Sequence, residues 1–232
     1  MLKIRRFLCV LLSLLTGPAS AGPSVNDSSM RDSVGAFSPP LLTLYERHSV
    51  LLPTLQRYVV QQGFSEPHEQ AAVIAHELIH IESARLGAFW ISGQGFDGYL
   101  ASDWPPTVGR DLQLTGAEKA QLGVLYESYL LRNPATTLSN VLDELNAYSQ
   151  TAGFVCLHFP AGAAKQTGPL LGHLALANAF LKASPPRDLK TTCARTTTKG
   201  ALALIVGNSY KALSSCNTFS VPNQDAIRAC LE

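Results

Sequence analysis

Residues 71–80 read Ala-Ala-Val-Ile-Ala-His-Glu-Leu-Ile-His, an apolar run that carries the pattern His76-Glu77-x-x-His80. Residues four apart lie on one face of an α-helix, so the imidazoles of His76 and His80 can reach one metal ion, with Glu77 beside them. The neighbouring residues are apolar on nearly every side, which predicts a buried helix. Polar groups in a buried helix need partners, and a metal ion would supply one.

A simpler interpretation treats the same three residues as ordinary helix residues. Two histidines can make common hydrogen bonds, and Glu77 can be a solvated charge. The apolar surroundings favour the metal site over this interpretation. Neighbouring residues also predict where the helix begins and ends. Ser65 is a suitable N-cap, and the helical pattern runs to Leu86, just before Gly87.

The N-terminus is typical of a secretory signal peptide over residues 1–21. Basic residues precede an apolar run over 7–15, and Ala19-Ser20-Ala21 is a small-x-small cleavage site. Residues 22–40 contain few large apolar side chains and are predicted to be a flexible leader. Residues 41–232 then form a single domain, and the chain is expected to be secreted or periplasmic.

Composition excludes two classes of partner. The apolar run of the signal is too short to span a membrane, and no later segment offers about 18 uninterrupted apolar residues, so no stable membrane insertion is expected. The full chain has a formal net charge of +1, and the signal removes three of its 18 basic residues. The remainder is slightly acidic, so no nucleic-acid partner is predicted.

Four cysteines follow the signal: Cys156, Cys193, Cys216 and Cys230. An even number in an oxidising compartment predicts two disulfide bonds, and all four lie in the C-terminal third, so the bonds should join that part to itself. Three pairings are possible. A second metal site built from cysteines is disfavoured because no Cys-x-x-Cys spacing occurs.

The remaining segments predict a mainly α fold, either all-α or α+β with a small sheet. Residues 87–115 are rich in glycine and aromatic residues, which indicates a long loop with short strands near 88–92; its aromatic side chains either form a substrate cleft wall or fill the core. The other helices are predicted at 41–63 with a break or second start at Pro53, at 115–131, at 138–152 before Gly153, at 169–183, at 198–213 and at 221–231.

A catalytic zinc site needs a third protein ligand. Glu144 is the best candidate, because by helical spacing it shares a face of the 138–152 helix with Val141, Ala147 and Tyr148. A carboxylate on the apolar face of a buried helix needs a cation. Its alternative role is a half-exposed helix charge next to Asp143.

The pattern His76-Glu77-x-x-His80, followed by Glu144 in a second helix, resembles the zincin metallopeptidases and among them the gluzincin type. The resemblance implies Zn²⁺ bound by His76, His80 and Glu144, with Glu77 as general base for a zinc-activated water. Several gluzincin families carry an acidic residue four positions after the ligand glutamate, where it orients a ligand histidine. Here that position is Tyr148, which is instead expected to hydrogen-bond the oxyanion of the reaction.

Other ligand sets fit less well. The metzincin pattern would require Gly at 83 and His at 86, where this chain has Ser83 and Leu86. An aspartate-ligand type could use Asp97 or Asp103 of the aromatic loop, and this stays the alternative for the third ligand.

Three further features are predicted to be structural. His158 and His173 could donate to a transition state, but an ordinary structural or surface role is the simpler expectation for each. Glu82 and Arg85 are three apart in the same helix and are expected to form a surface salt bridge.

The predicted function is hydrolysis of peptide bonds in protein or peptide substrates outside the cytoplasm. The alternative is an exported binding or effector protein that keeps a zincin-like scaffold without turnover. Glu77 separates the two, because a binding module needs no base next to its metal ligands. A purely structural zinc is disfavoured, since such sites usually have four protein ligands.

Overall fold

Helices make up most of the regular structure. The computed structural model describes residues 28–218 and 220–232. In chain order the elements are α1 Ser28–Phe37, α2 Pro39–Arg47, α3 Leu52–Gln61, α4 Pro67–Leu86, β1 Phe89–Ile91, β2 Gln94–Phe96, α5 Gly116–Leu122, α6 Leu138–His158, α7 Ala163–Ala183, α8 Pro186–Cys193, α9 Thr196–Ser215 and α10 Asp225–Leu231. The mainly α prediction with a small sheet is therefore confirmed.

The prediction of a flexible leader is wrong for residues 28–40. They form α1 and the start of α2, and Met30 and Val34 of α1 are buried against the helices that follow. Met30, Val34 and Phe37 recur at helical spacing, so even a segment poor in large apolar residues presents one apolar face. The predicted signal peptide and residues 22–27 lie outside the described residues.

Residues 41–63 contain two helices rather than one. α2 ends at Arg47, a 3₁₀ turn spans Ser49–Leu51, and Pro53 lies in the first turn of α3, where its missing N–H costs nothing. Gly63 follows α3 with a φ of 87°, a conformation that glycine adopts without strain. Pro53 thus marks the start of a second helix, which is one of the two alternatives predicted from the sequence.

Helix α4 carries the His-Glu-x-x-His pattern. Its N-cap is Glu66 rather than the predicted Ser65: a carboxylate oxygen of Glu66 accepts a hydrogen bond from the backbone N–H of Glu69 at 2.9 Å. A carboxylate at this place also interacts favourably with the positive end of the helix dipole. The helix ends where predicted, with Gly87 in the left-handed region at φ 63°.

A hairpin follows α4 and joins it to α6. β1 and β2 pair antiparallel around Ser92 and Gly93, both with positive φ. The backbone N–H of Trp90 donates to the hydroxyl of Ser83 in α4 at 3.0 Å, and its carbonyl accepts from the amide of Asn146 in α6 at 2.9 Å. The hairpin therefore fixes the spacing between these two helices.

The aromatic side chains of the long loop fill the core. Phe89, Trp90 and Trp104 are buried, and the indole N–H of Trp104 donates to the carbonyl of Gly98. Of the two predicted roles for the loop aromatics, these three have the core-filling one.

Helix α5 is shorter than predicted. Thr115 and Glu118 form the expected capping box, but Gly123 at φ 52° ends the helix and a π-helical turn spans Tyr126–Leu131. A positive φ breaks the helical hydrogen-bond ladder, so the single helix predicted over 115–131 is wrong after Leu122.

Helix α6 continues past Gly153 to His158, so the predicted end at Gly153 is wrong. A Cβ at Gly153 would lie 3.4 Å from the ring of Phe37, so glycine here lets α1 pack closely against α6 rather than ending the helix. The N-cap of α6 is Thr137, whose hydroxyl accepts from the N–H of Asn140.

Two disulfide bonds join the C-terminal helices, as predicted. Cys156 at the end of α6 is bonded to Cys216 after α9, and Cys193 of α8 is bonded to Cys230 of α10. Within the described part of the chain, none of the helices is both long enough and apolar enough to cross a membrane.

Helix α6 belongs to two hydrophobic cores. Leu142 and Leu145 pack in the core that holds α7, α9 and the hairpin, whereas Phe154 and Val155 pack in the core built by α1 to α4. Because α6 also packs along α4, the interface between these two helices lies where the cores meet.

Candidate metal centre

Helix α4 presents its two pattern histidines side by side toward α6. The Nε2 atoms of His76 and His80 are 3.0 Å apart, and the ring centroids are separated by 4.7 Å at 79°. Both rings are largely buried, with exposed side-chain fractions of 11% and 15%. The helical spacing thus produces the juxtaposition that the sequence predicts.

Helix α6 places Glu144 against both rings. Its Oε2 atom is 3.4 Å from Nε2 of His76 and 3.5 Å from Nε2 of His80. Ligands at about 2.0–2.1 Å around a tetrahedral zinc ion are about 3.3 Å from one another, close to these separations. Among the described residues, these three are the group whose ligand atoms are near enough to share a metal ion.

The alternative third ligands lie elsewhere. Asp97 is exposed, and Asp103 caps a 3₁₀ turn by accepting a hydrogen bond from the backbone N–H of Leu100 at 3.0 Å. Neither belongs to the group of three that can hold a metal. The carboxylate that the fold brings to the two histidines is Glu144.

Asp143 is a site residue to which sequence reasoning gave no role. Its Oδ2 accepts a hydrogen bond from Nδ1–H of His80 at 2.9 Å, which leaves Nε2 of that ring facing His76 and Glu144. In the gluzincin pattern that this chain resembles, such a carboxylate lies four positions after the ligand glutamate, where this chain has Tyr148. The only local signal was the pairing of two adjacent carboxylates on a predicted buried helix.

The charges of the cluster are mutually stabilising. Burial alone would disfavour the charged ring of His80, but the carboxylates of Asp143 and Glu144 outweigh it and hold the pKa of His80 well above its ordinary value. Burial likewise favours the protonated acid at Glu144, yet His80 and His76 hold the pKa of that carboxyl well below its usual range. The same attraction for positive charge suits a bound cation.

Glu77 lies beside the candidate ligands, and the pKa of its carboxyl is shifted in the opposite direction from that of Glu144. Burial raises the pKa of its carboxyl; the charges of His76 and His80 oppose this rise, and those of Glu144 and Asp143 add to it. A carboxyl whose pKa is raised keeps its proton to a higher pH than an exposed one. Glu77 thus lies next to the candidate ligands in an environment that increases its affinity for a proton.

Tyr148 packs against the first histidine. Its ring meets the ring of His76 edge to face, with centroids 4.5 Å apart at 66°. Burial, followed by the charges of Glu144 and Glu77, raises the pKa of Tyr148, so its hydroxyl keeps its proton and is able to donate it in a hydrogen bond.

Two more tyrosines adjoin the cluster, and sequence reasoning missed both. Tyr58 of α3 has a raised pKa because of burial and the charges of Glu77 and Glu144. Tyr129 of the π-helical turn also has a raised pKa. Burial is the main cause, and the charge of Glu144 and hydrogen bonding with that carboxylate add to the rise. Tyr58 lies 18 residues before His76 and Tyr129 lies 14 residues before Asp143, and no local pattern marks either of them.

His158 and His173, the two other histidines considered from the sequence, differ in position. His173 is fully buried in α7, and its Nδ1–H donates to the carbonyl of Pro169 at 2.8 Å. His158 lies at the end of α6 and stacks on His68, with ring centroids 5.0 Å apart.

Glu82 is buried, which corrects the prediction of a surface salt bridge. Its carboxylate accepts two hydrogen bonds from Arg85 at 2.7 and 2.8 Å, contacts His48 at 3.0 Å, and is also paired with Arg47. The hydrogen bonds from Arg85, and then those from His48 and Arg47, lower the pKa of Glu82 to about 2 against the opposing effect of burial. The pair is part of a cluster that fastens α4 to the end of α2.

This cluster predicts a pH-dependent stability. Because the folded-state pKa of Glu82 lies below its ordinary value of 4.5, its contribution is complete above about pH 4.5 and is lost as pH falls toward 2. We expect Glu82→Gln to lower the free energy of unfolding by about 1–3 kcal/mol at pH 7. Urea unfolding at pH 7, 4 and 2.5 measures this. A difference between wild type and variant that stays constant across the three pH values would contradict it.

Comparison of the chain with protein-family models, with curated proteins and with solved structures found no match in any of the three. The case for a function is therefore carried by the site itself. It consists of three side chains with convergent ligand atoms, the carboxylate of Asp143 hydrogen-bonded to His80, the half-buried Glu77 beside them and the ring of Tyr148 against His76.

Proposed function

We propose that the protein is an exported zinc metallopeptidase that hydrolyses peptide bonds in protein or peptide substrates. The observation that carries the proposal is the triangle of Nε2 of His76, Nε2 of His80 and Oε2 of Glu144, with sides of 3.0, 3.4 and 3.5 Å. Three ligands leave one position of a tetrahedral ion open, as in catalytic rather than structural zinc sites. Glu77 beside the triangle then supplies the base.

A zinc ion held there would activate a water molecule and polarise the substrate carbonyl. The carboxylate of Glu77 accepts a proton from the attacking water and delivers it to the departing amine nitrogen, so it ends in its starting state. The new C–O bond forms first and places negative charge on the carbonyl oxygen; the C–N bond breaks afterwards, as the nitrogen takes up the proton and the carbonyl re-forms. The hydroxyl of Tyr148 donates to the carbonyl oxygen as negative charge develops on it.

Asp143 has a supporting role in this proposal. By accepting from Nδ1–H of His80, it holds the ring in the tautomer whose Nε2 can bind a metal. The pairing also keeps the ring from turning away. Both disulfide bonds support the export part of the proposal, because such bonds persist in oxidising compartments.

The test is the metal content and activity of the purified protein, wild type against Glu144→Ala. We expect one zinc per chain in wild type and a loss of zinc affinity of at least about 100-fold in the variant, since removal of an outer partner alone costs about 10–100-fold. Hydrolysis of casein or of a mixed peptide library should require the bound zinc. Glu46→Ala is the matched control, because Glu46 is an exposed helix carboxylate.

Three outcomes would contradict the proposal or the site on which it rests. A wild-type protein that binds no zinc removes the metal site altogether. A protein that binds zinc through Glu144 but hydrolyses no substrate is a binding or effector protein on a zinc-stabilised scaffold. Retention of zinc and activity in Glu144→Ala would place the third ligand elsewhere.

A further inference from the structure

One residue of the hairpin is hydrogen-bonded to both helices that carry the candidate ligands. The backbone N–H of Trp90 donates to the hydroxyl of Ser83 in α4 at 3.0 Å. The carbonyl of Trp90 accepts from the side-chain amides of Asn146 and Gln150 in α6 at 2.9 and 3.0 Å. Because the extended backbone of β1 fixes the directions of this N–H and this C=O, the partners on the two helices are held in a fixed relation. These four residues are called the hairpin bridge below.

The two amides of the hairpin bridge are themselves held in place. The Nε2 atom of Gln150 also donates to Oδ1 of Asn146 at 2.9 Å, and Oε1 of Gln150 accepts from the backbone N–H of Ser92 at 2.8 Å. Each amide oxygen therefore has a donor of its own. The amide nitrogens are left to bond the carbonyl of Trp90, so both side chains have one preferred orientation.

The hairpin bridge is buried, so water cannot replace its hydrogen bonds. Ser83 and Asn146 are fully buried, and Trp90 is 3% exposed. A buried N–H or C=O that loses its partner keeps the whole cost of its removal from water. The apolar contacts between α4 and α6 have no preferred direction, so they oppose a small slide or rotation less sharply than hydrogen bonds do. The hairpin bridge therefore specifies how the two helices lie relative to each other.

The hairpin bridge lies within one helical turn of a candidate ligand on each helix. Ser83 is three residues after His80, a rise of about 4.5 Å along α4. Asn146 is two residues after Glu144, a rise of about 3 Å along α6. Over so short a distance a helix moves as one body, so a displacement at the hairpin bridge moves the ligands by a similar amount. Functional groups at such sites must be held to within about 0.5 Å.

We propose that Ser83 and Asn146 are positioning residues, which act through the backbone of Trp90 to hold His80 and Glu144 at the separation that one zinc ion requires. That separation is 3.5 Å between Nε2 of His80 and Oε2 of Glu144. The inference rests on the proposed zinc site and deepens it, because it adds two residues that act on the metal only through the helices on which they lie.

The test measures zinc affinity, by competition with a chelator, in Ser83→Ala, Asn146→Leu and the double variant. Leucine keeps the branched shape of asparagine but cannot donate a hydrogen bond. We expect each single variant to weaken zinc by about tenfold, the low end of the cost of losing an outer partner of a metal site. The double variant should lose little more, because release of either helix breaks the same bridge. The visible absorption spectrum of the Co²⁺-loaded protein should change in all three variants, since it reports ligand geometry.

Asn178→Leu is the matched control. Asn178 of α7 accepts hydrogen bonds from the N–H groups of Ala226 and Ile227 in α10 at 3.0 and 3.2 Å. It too joins a helix side chain to a backbone, but between helices that carry none of the three candidate ligands. We expect its zinc affinity to stay within about twofold of wild type, with an unchanged Co²⁺ spectrum. Urea midpoints of the metal-free proteins show how much stability each variant loses.

Four outcomes would overturn the inference. Unchanged zinc affinity in Ser83→Ala and Asn146→Leu removes the positioning role, and Ser83→Ala alone decides this point if Asn146→Leu does not fold. An equal loss of affinity in Asn178→Leu attributes the effect to stability in general. Losses that multiply in the double variant show that the two residues act separately.

The fourth outcome, a wild type that binds no zinc, removes the inference and the proposed function together. The expected order of zinc affinities in a protein that hydrolyses no substrate supports the inference and contradicts the proposed function.

Discussion

Glu77→Gln is expected to reduce peptide hydrolysis by about 10²–10⁴-fold while zinc stays bound at one ion per chain. The amide has nearly the shape of the carboxylate but cannot accept the proton of the attacking water. The three candidate ligands are left untouched, so metal affinity should change little. Steady-state hydrolysis and zinc content, measured on the same preparation, test this directly.

The control and the contradicting results are specific. Glu46→Gln changes an exposed helix carboxylate and should behave as wild type. If Glu77→Gln retains hydrolysis within about threefold of wild type, the base is another group. If it loses zinc, Glu77 is a ligand or a structural anchor rather than a base.

Removal of the disulfide between Cys156 and Cys216 is expected to lower the free energy of unfolding by about 2–5 kcal/mol. The bond joins residues 60 apart and ties the end of α6 to the end of α9. In the chain-entropy account, opening a long loop gives the unfolded chain many more conformations. The double variant Cys156→Ala with Cys216→Ala, studied by urea unfolding without reductant, measures the effect.

The second bond is the matched control. Cys193 and Cys230 are 37 residues apart, so loop length alone makes their removal less costly by about 0.4 kcal/mol. Stability losses in the reverse order would show that local packing around the cysteines, rather than loop closure, governs the cost. A loss below about 1 kcal/mol for Cys156 and Cys216 would contradict the prediction.

Several parts of the fold could be predicted because their signals are local. Gly87 ends α4, Thr115 and Glu118 cap α5, and Thr137 caps α6, each through contacts within a few residues. A side chain that bonds the backbone three residues on does so in almost any tertiary setting. Such features can be recognised in the sequence without knowledge of the rest of the molecule.

The predictions that proved wrong concern features whose structure is determined by residues far apart in the sequence. Gly153 resembles a helix end, but the ring of Phe37, more than 100 residues earlier, packs over it and the helix continues. The same contact helps to order α1, which composition alone assigned to a flexible leader. Glu82 was expected at the surface because its partner Arg85 is local, whereas Arg47 and His48 bury it from another helix.

The site divides in the same way. His76 and His80 follow from one helical pattern, and Glu144 follows from the cost of a carboxylate on a buried face. The pairing of Asp143 with His80 depends on how α6 crosses α4, which helical spacing within one element does not determine. Tyr129 lies in a π-helical turn, which no periodicity in the sequence predicts.

Because α6 contributes side chains to both hydrophobic cores, the two cores are expected to unfold together. Neither the helices before the hairpin nor those after α6 can unfold as a separate unit. Unfolding either group would expose one apolar face of α6 to water. Local fluctuations near the candidate ligands are therefore coupled to disruption of the whole chain rather than to loss of one lobe. A site between the two cores therefore keeps its geometry until the protein unfolds.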